Sequence, residues 1–125
     1  MADFYEDCTE QDDVEAMMET GAGAVVIDFW SSTCGPCHAM APDFAAVAEH
    51  FDGDPVRFVK IQTDAHPELA APFKIRSVPT LLFVGNGKIH DAIVGRMDPQ
   101  ALAKKTIWLL NKTEGRGLLS RLFGQ

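Results

Sequence analysis

Two of the three cysteines in this 125-residue sequence stand three positions apart, in Cys34-Gly35-Pro36-Cys37. On a helix that spacing puts both sulfurs on one side, a single turn apart and close enough to bond. Pro36 suits a first helical turn, whose N–H groups have no intrahelical partner in any case. Those free donors and the positive helix end favour a thiolate at Cys34, while Cys37 sits deeper in the turn and is expected to be less exposed. The chemistry this pair offers is dithiol–disulfide exchange: Cys34 attacks a foreign disulfide, and Cys37 resolves the mixed disulfide. A CxxC also occurs in zinc sites, and with His38 the run has the Cys-x-x-Cys-His spacing of haem attachment. Zinc on Cys34, Cys37 and His38 lacks a fourth ligand at motif spacing. Haem is disfavoured because the motif follows a strand inside an α/β pattern and no export signal leads the chain. The expectation is therefore no metal and no bound cofactor. The remaining thiol, Cys8, stands among Glu6, Asp7 and Glu10, whose charges should keep it protonated and inert.

The elements that must position the pair can be read from hydrophobic period. Gln11 to Thr20 reads as a short helix, with acids near its start and Gly21 and Gly23 after it. Ala24 to Trp30 is a continuous β-branched and aromatic run, the pattern of a strand buried on both faces. From Cys34, apolar residues recur at helical spacing through Met40, Phe44, Ala48 and Phe51, with a kink expected at Pro42. Val56 to Thr63 reads as a second buried strand, and His66 to Pro72 as a helical turn. Thr80 to Val84 and Lys88 to Val94 form a hairpin across Gly85-Asn86-Gly87. Asp98-Pro99 opens a final helix to about Leu110. The fold class is α/β: a mixed sheet with helices on both faces, its first two core strands parallel and joined by a right-handed crossover.

Two ionisable residues interrupt the apolar strands, Asp28 and Lys60. One in each of two neighbouring strands suggests a buried pair, in which desolvation raises the carboxyl pKa and the ammonium limits the rise. A carboxyl poised near neutrality could take the proton from Cys37 as that thiol attacks.

Charge is unevenly spread. Residues 1–56 hold 13 acids and no Lys or Arg; residues 57–125 hold 5 acids and 11 bases, giving the formal net charge of −7. An acidic first half would repel phosphate backbones, so nucleic acid is a poor partner. No apolar run approaches the roughly 20 residues of a membrane-spanning helix. The start of the chain, Met1-Ala2-Asp3-Phe4, has no basic n-region or apolar h-region, so a cytoplasmic location is the expectation, where most thiols are kept reduced.

Asp28-Phe29-Trp30-Ser31-Ser32-Thr33-Cys34-Gly35-Pro36-Cys37, then Pro42, Val78-Pro79-Thr80, Asn86-Gly87 and Gly95, closely resemble the thioredoxin family in order and spacing, over about residues 10–110. The resemblance implies the thioredoxin fold, with a central mixed sheet of four to five strands, and protein-disulfide reduction recycled by an NADPH-dependent reductase. It implies a cis bond at Val78-Pro79 facing the cysteines and supports Asp28 as the base beside Lys60. It also implies a docking surface for an extended target segment made by Trp30, Gly35, Pro36, Val78, Pro79 and Gly95. The expected partners are disulfide-containing proteins and a thioredoxin-reductase-like donor, with the chain a monomer. An alternative from another class is a binding module of the same fold, whose cysteine pair regulates a contact rather than turning over.

The pattern departs at three positions. Thr33 stands where the family usually has Trp, removing an aromatic lid; His38 stands where Lys or Arg is common; Ser77 replaces a frequent Gly. Residues 1–112 are expected to form the domain, and 113–125 a C-terminal extension, either a tail or a short amphipathic segment. Gly115 and Gly117 should break the last helix, after which Leu118, Leu119, Leu122 and Phe123 would share one helical face.

Overall fold

The computed structural model describes residues 3–122, with side chains through residue 113. The elements run β1 (Glu6–Asp7), α1 (Gln11–Met17), β2 (Ala24–Trp30), α2 (Gly35–His50), β3 (Val56–Gln62), α3 (Pro67–Ala70) with a 3-10 turn (Ala71–Phe73), β4 (Thr80–Gly85), β5 (Lys88–Val94) and α4 (Pro99–Leu122). One five-stranded sheet has the order β1-β3-β2-β4-β5. β1 and β2 both run parallel to β3, whereas β4 runs antiparallel to β2 and β5 to β4. The sheet is thus mixed, as the alternation of strand and helix implies.

Side-chain alternation along β2 divides the core in two. Val25, Ile27 and Phe29 pack on one face with Val14 and Met17 of α1 and Leu69 of α3. Ala24 and Val26 pack on the other with Met40, Phe44 and Val47 of α2 and Leu102 and Leu109 of α4. The period of two therefore turns Asp28 toward α2, the helix that begins at the cysteine pair. Phe58 shares that face from β3, so two residues further on Lys60 shares it too.

Three elements differ from the sequence reading. α1 stops at Met17, short of the expected Thr20. β1 was not expected: two exposed residues carry no periodic signal, and they join the sheet through pairing of Glu6 with Val59 and Asp7 with Lys60. The final helix does not break at Gly115 and Gly117 but continues to Leu122. A mid-helix glycine costs only about 1 kcal/mol relative to Ala, which weakens a helix without ending it. The side chains of Leu118, Leu119 and Leu122, and all of Phe123, lie outside the described residues.

Candidate active site

β2 delivers the chain to the site at Trp30. A tight turn follows, closed by the N–H of Cys34 donating to the carbonyl of Ser31 at 3.2 Å. Cys34 is extended, at φ −93° and ψ 108°, and serves as the N-cap of α2, with Pro36 in the first turn. Its sulfur accepts the backbone N–H of Cys37 at 3.2 Å, as an N-cap side chain should. The Cys34–Cys37 disulfide is closed, across a Cα–Cα separation of 5.3 Å. Cys34 is half-buried, whereas Cys37 is only 2% exposed. Gly35 and Pro36 are exposed beside them.

The strand that faces the pair begins after a cis Val78-Pro79 bond, as the resemblance implies. The Val78 carbonyl lies 3.6 Å from the Cys34 sulfur. Pro79 is buried, and its carbonyl accepts the N–H of Gly95 at 2.8 Å, which ties the end of β5 to this corner. Gly95 has φ +106°, a backbone conformation that L side chains rarely adopt. Val78, Pro79 and Gly95 thus sit together beside the cysteines, with the exposed surface of Gly35 and Pro36 adjoining Cys34.

The buried pair lies on the sheet face that packs against α2. Asp28 and Lys60 are register partners on β2 and β3, 0% and 8% exposed, with Lys60 Nζ 3.9 Å from Asp28 Oδ2. Neither Asp28 oxygen has a hydrogen-bond partner. Burial pushes this carboxyl from its ordinary 3.8 up to about 6, and the Lys60 ammonium restrains the rise. Lys60 in turn lies among aromatic rings: Nζ is 4.9 Å from the ring centre of Trp30, 5.5 Å from that of Tyr5 and 6.0 Å from that of Phe44. These faces favour a cation, which explains how an ammonium too far from Asp28 to hydrogen-bond it is kept so deep. Trp30 is half-buried, so it is neither a plain core residue nor a fully displayed one.

These features describe a sulfur pair bonded at a helix N-terminus, a peptide edge beside it, and a buried carboxyl tuned toward neutrality on the sheet face that packs against the same helix. The family model for thioredoxin matches residues 7–107. The chain belongs to the thioredoxin family. The thioredoxin of Chlorobaculum thiosulfatiphilum is 38% identical over 82 residues, covering 66% of this chain and 75% of that protein. Thioredoxin 2 of Chlorobaculum tepidum is 32% identical over 105 residues, covering 84% of this chain and 94% of its own length. Among solved structures, the Malassezia sympodialis thioredoxin superimposes with a TM-score of 0.77 at 30% identity, covering 87% of this chain and 93% of that one. As in its thioredoxin relatives, the activity is thiol–disulfide exchange, an oxidoreductase chemistry carried by the cysteines themselves without a cofactor.

Within this thioredoxin site, some contacts were not expected from sequence. Asp64, in the loop after β3, accepts the Ser32 backbone N–H at 3.1 Å and the Ser32 hydroxyl, and these bonds hold its carboxyl below the ordinary range. Tyr5, before β1, supplies one of the rings around Lys60. His38 is exposed, with Nε2 2.7 Å from the Ser32 carbonyl and its ring edge-on to Trp30 at 6.0 Å. Thr33 is exposed where the family's aromatic would lie. Among the described residues, no group of three or more His, Cys, Asp or Glu is arranged to hold a metal ion. The described residues also contain no helix long and apolar enough to cross a membrane.

Cys8 requires a correction of cause. Its thiol is pushed up chiefly by burial, with Asp13 and Glu6 adding to the rise, while a bond to the Glu10 backbone and the charge of Arg57 act the other way. The chain folds Cys8 inward, where its N–H donates to the Lys60 carbonyl at 2.9 Å.

Proposed function

We propose that the chain reduces protein disulfides with Cys34 as the attacking sulfur and Cys37 as the resolving one. The observation that carries this assignment is the asymmetry of the pair: Cys34 is only half-buried and its sulfur accepts the Cys37 N–H at 3.2 Å, while Cys37 is 2% exposed. A thiolate at Cys34 attacks one sulfur of a target disulfide; the other target sulfur leaves with the electron pair and takes a proton. Cys37 then gives its proton to the Asp28 carboxylate and attacks the Cys34 sulfur. That step closes the Cys34–Cys37 bond and releases the second target thiolate. Asp28 suits this role because a carboxyl titrating near 6 is mostly ionised at neutral pH yet still a usable base. Burial raises that value, and Lys60 limits the rise without itself exchanging the proton.

Trp30, Gly35, Pro36, Val78, Pro79 and Gly95 form the docking surface in this reading, with an extended target segment laid along the edge beside Val78. The electron donor is an NADPH-dependent, thioredoxin-reductase-like enzyme, the chain acts as a monomer, and its setting is the reducing cytoplasm. Residues 1–112 form the working domain, and 113–125 extend it.

Insulin reduction in the presence of dithiothreitol tests the assignment. Wild type should accelerate precipitation of the insulin B chain, and Cys34→Ser should abolish the effect. Cys37→Ser should instead accumulate a mixed disulfide through Cys34. Trapping at Cys37 in a Cys34→Ser background, at the same rate, would reverse the roles.

A further inference from the structure

Ser32 is held at every polar group it owns. Its N–H donates to Asp64 Oδ1 at 3.1 Å, its hydroxyl donates to Asp64 Oδ2, and its carbonyl accepts from His38 Nε2–H at 2.7 Å. The two partners come from different elements of the fold. Asp64 belongs to the loop that leaves β3, and His38 to the first full turn of α2. Ser32 is also the second residue of the Ser31–Cys34 turn, the one whose closing bond sets the direction in which Cys34 enters the helix. His38 is fixed further by its own N–H, which donates to the Cys34 carbonyl at 3.2 Å, and by the edge of Trp30.

We propose that His38 and Asp64 are positioning residues for Cys34, the two jaws of a clamp that grips Ser32 and fixes the turn leading to the attacking sulfur. The inference rests on the assignment of Cys34 as that sulfur. The physical link is short: the N-cap bond from Cys37 N–H to Cys34 sulfur requires Cys34 to keep its extended conformation, and a turn free to pivot at Ser32 would spread that conformation over several. Thr33, being small, exposed and bonded only to Ser31 within the same turn, cannot anchor the loop by packing. The clamp holds it with polar groups instead. An Nε2–H exists both in the imidazolium and in one neutral tautomer, so this jaw grips in either charge state of the ring.

The test uses the full chain with the pair reduced. Iodoacetamide labelling of Cys34 at neutral pH, followed by mass spectrometry in about 0.5 M salt to screen charge, reads the sulfur directly. His38→Ala should slow labelling about three- to tenfold, the effect of one exposed hydrogen bond. His38→Gln, whose side-chain amide can present an N–H to the same carbonyl, should recover to within about twofold of wild type. Asp64→Ala should slow labelling similarly, and the double variant His38→Ala, Asp64→Ala should lose no more than the worse single, because one open jaw already frees Ser32. A Gln variant as slow as Ala, losses that multiply in the double variant, or no loss in His38→Ala would each overturn the clamp. Labelling needs no target protein, so a wild type that failed to reduce insulin would count against the proposed function while leaving this test readable.

Discussion

Asp28 and Lys60 sit directly across from each other on two parallel strands, yet their nearest charged atoms stop 3.9 Å apart and neither Asp28 oxygen is hydrogen-bonded. The ammonium is close enough to restrain the carboxyl and too far to satisfy it, so desolvation wins and the carboxyl is pushed up to about 6. Such a group lowers stability whenever it is ionised in the folded chain. Below about pH 3.8 the carboxyl is protonated in both states and imposes no penalty. Between 3.8 and about 6 the folded state binds more protons than the unfolded one, so stability falls as pH rises, and above 6 the loss is constant.

Asp28→Asn should therefore be more stable than wild type at neutral pH. The shift, in which the attraction to Lys60 is already included, corresponds to roughly 3 kcal/mol at its upper limit, and relaxation around the ionised carboxyl lowers it, leaving an expected gain of about 1–3 kcal/mol. The gain should vanish toward pH 4. Guanidinium unfolding of the oxidised protein at pH 4 and pH 8 measures both values; equal differences at the two pH values would mean that Asp28 does not titrate in this window.

The same group predicts the pH profile of the resolving step. With a base titrating near 6, release of target from the Cys34 mixed disulfide should rise through that pH and level off above it. Asp28→Asn should flatten this rise and slow release by about tenfold to a hundredfold at neutral pH. Lys60→Met removes the group that restrains the carboxyl, so the midpoint should move to higher pH. Stopped-flow release of a chromogenic thiol from a preformed mixed disulfide gives the three profiles; a Lys60→Met midpoint at lower pH would contradict the pairing.

Much of this site is legible in the sequence because it depends on short-range pattern. Ala24–Trp30 forms β2 with both ends where the β-branched and aromatic run, interrupted at Asp28 alone, places them, and the Asn86-Gly87 turn predicts the β4–β5 hairpin. The alternation of faces then puts Asp28 and Lys60 together with no further information. What was not legible depends on contacts between distant loops. Asp64 looks like any loop acid until the chain after β3 folds against Ser32, 32 residues away in sequence. Tyr5 precedes a two-residue strand that exists only because β3 offers it an edge. The run of α4 through Gly115 and Gly117 shows the opposite failure, a local breaker signal too weak to stop a helix already propagated from Pro99.

The two kinds of cysteine should separate cleanly on alkylation. Cys8 is 6% exposed and its thiol is raised by burial, so it offers little thiolate and little access. Cys34 is half-buried and its sulfur accepts the N–H of Cys37 in the closed disulfide, a donor that would also favour a thiolate once the pair is reduced. At pH 7, iodoacetamide should label Cys34 at least about tenfold faster than Cys8. In urea the Cys8 rate should rise to that of an ordinary thiol, and peptide mapping after timed quenching follows both sites at once.

The hairpin turn supplies a prediction remote from the sulfurs. Gly87 has φ +79°, and a Cβ there would clash with the Met18 carbonyl oxygen and meet the Glu19 backbone at 3.0 Å. Both obstacles are backbone at the end of α1, so neither can swing aside as a side-chain tip could. The neighbouring Asn86 locks the same contact, donating its N–H to the Gly23 carbonyl and accepting the Gly23 N–H, each at 3.0 Å. Gly87→Ala must therefore lift the turn off α1 or strain both, and should destabilise the fold by about 2–4 kcal/mol, more than the roughly 1 kcal/mol typical of a point substitution. The site lies at the far end of β4 from Val78 and Pro79, so the surviving folded protein should reduce insulin at the wild-type rate at low temperature. Thermal unfolding alongside the turnover assay separates the two effects; unchanged stability would mean that the turn does not pack on α1 in solution.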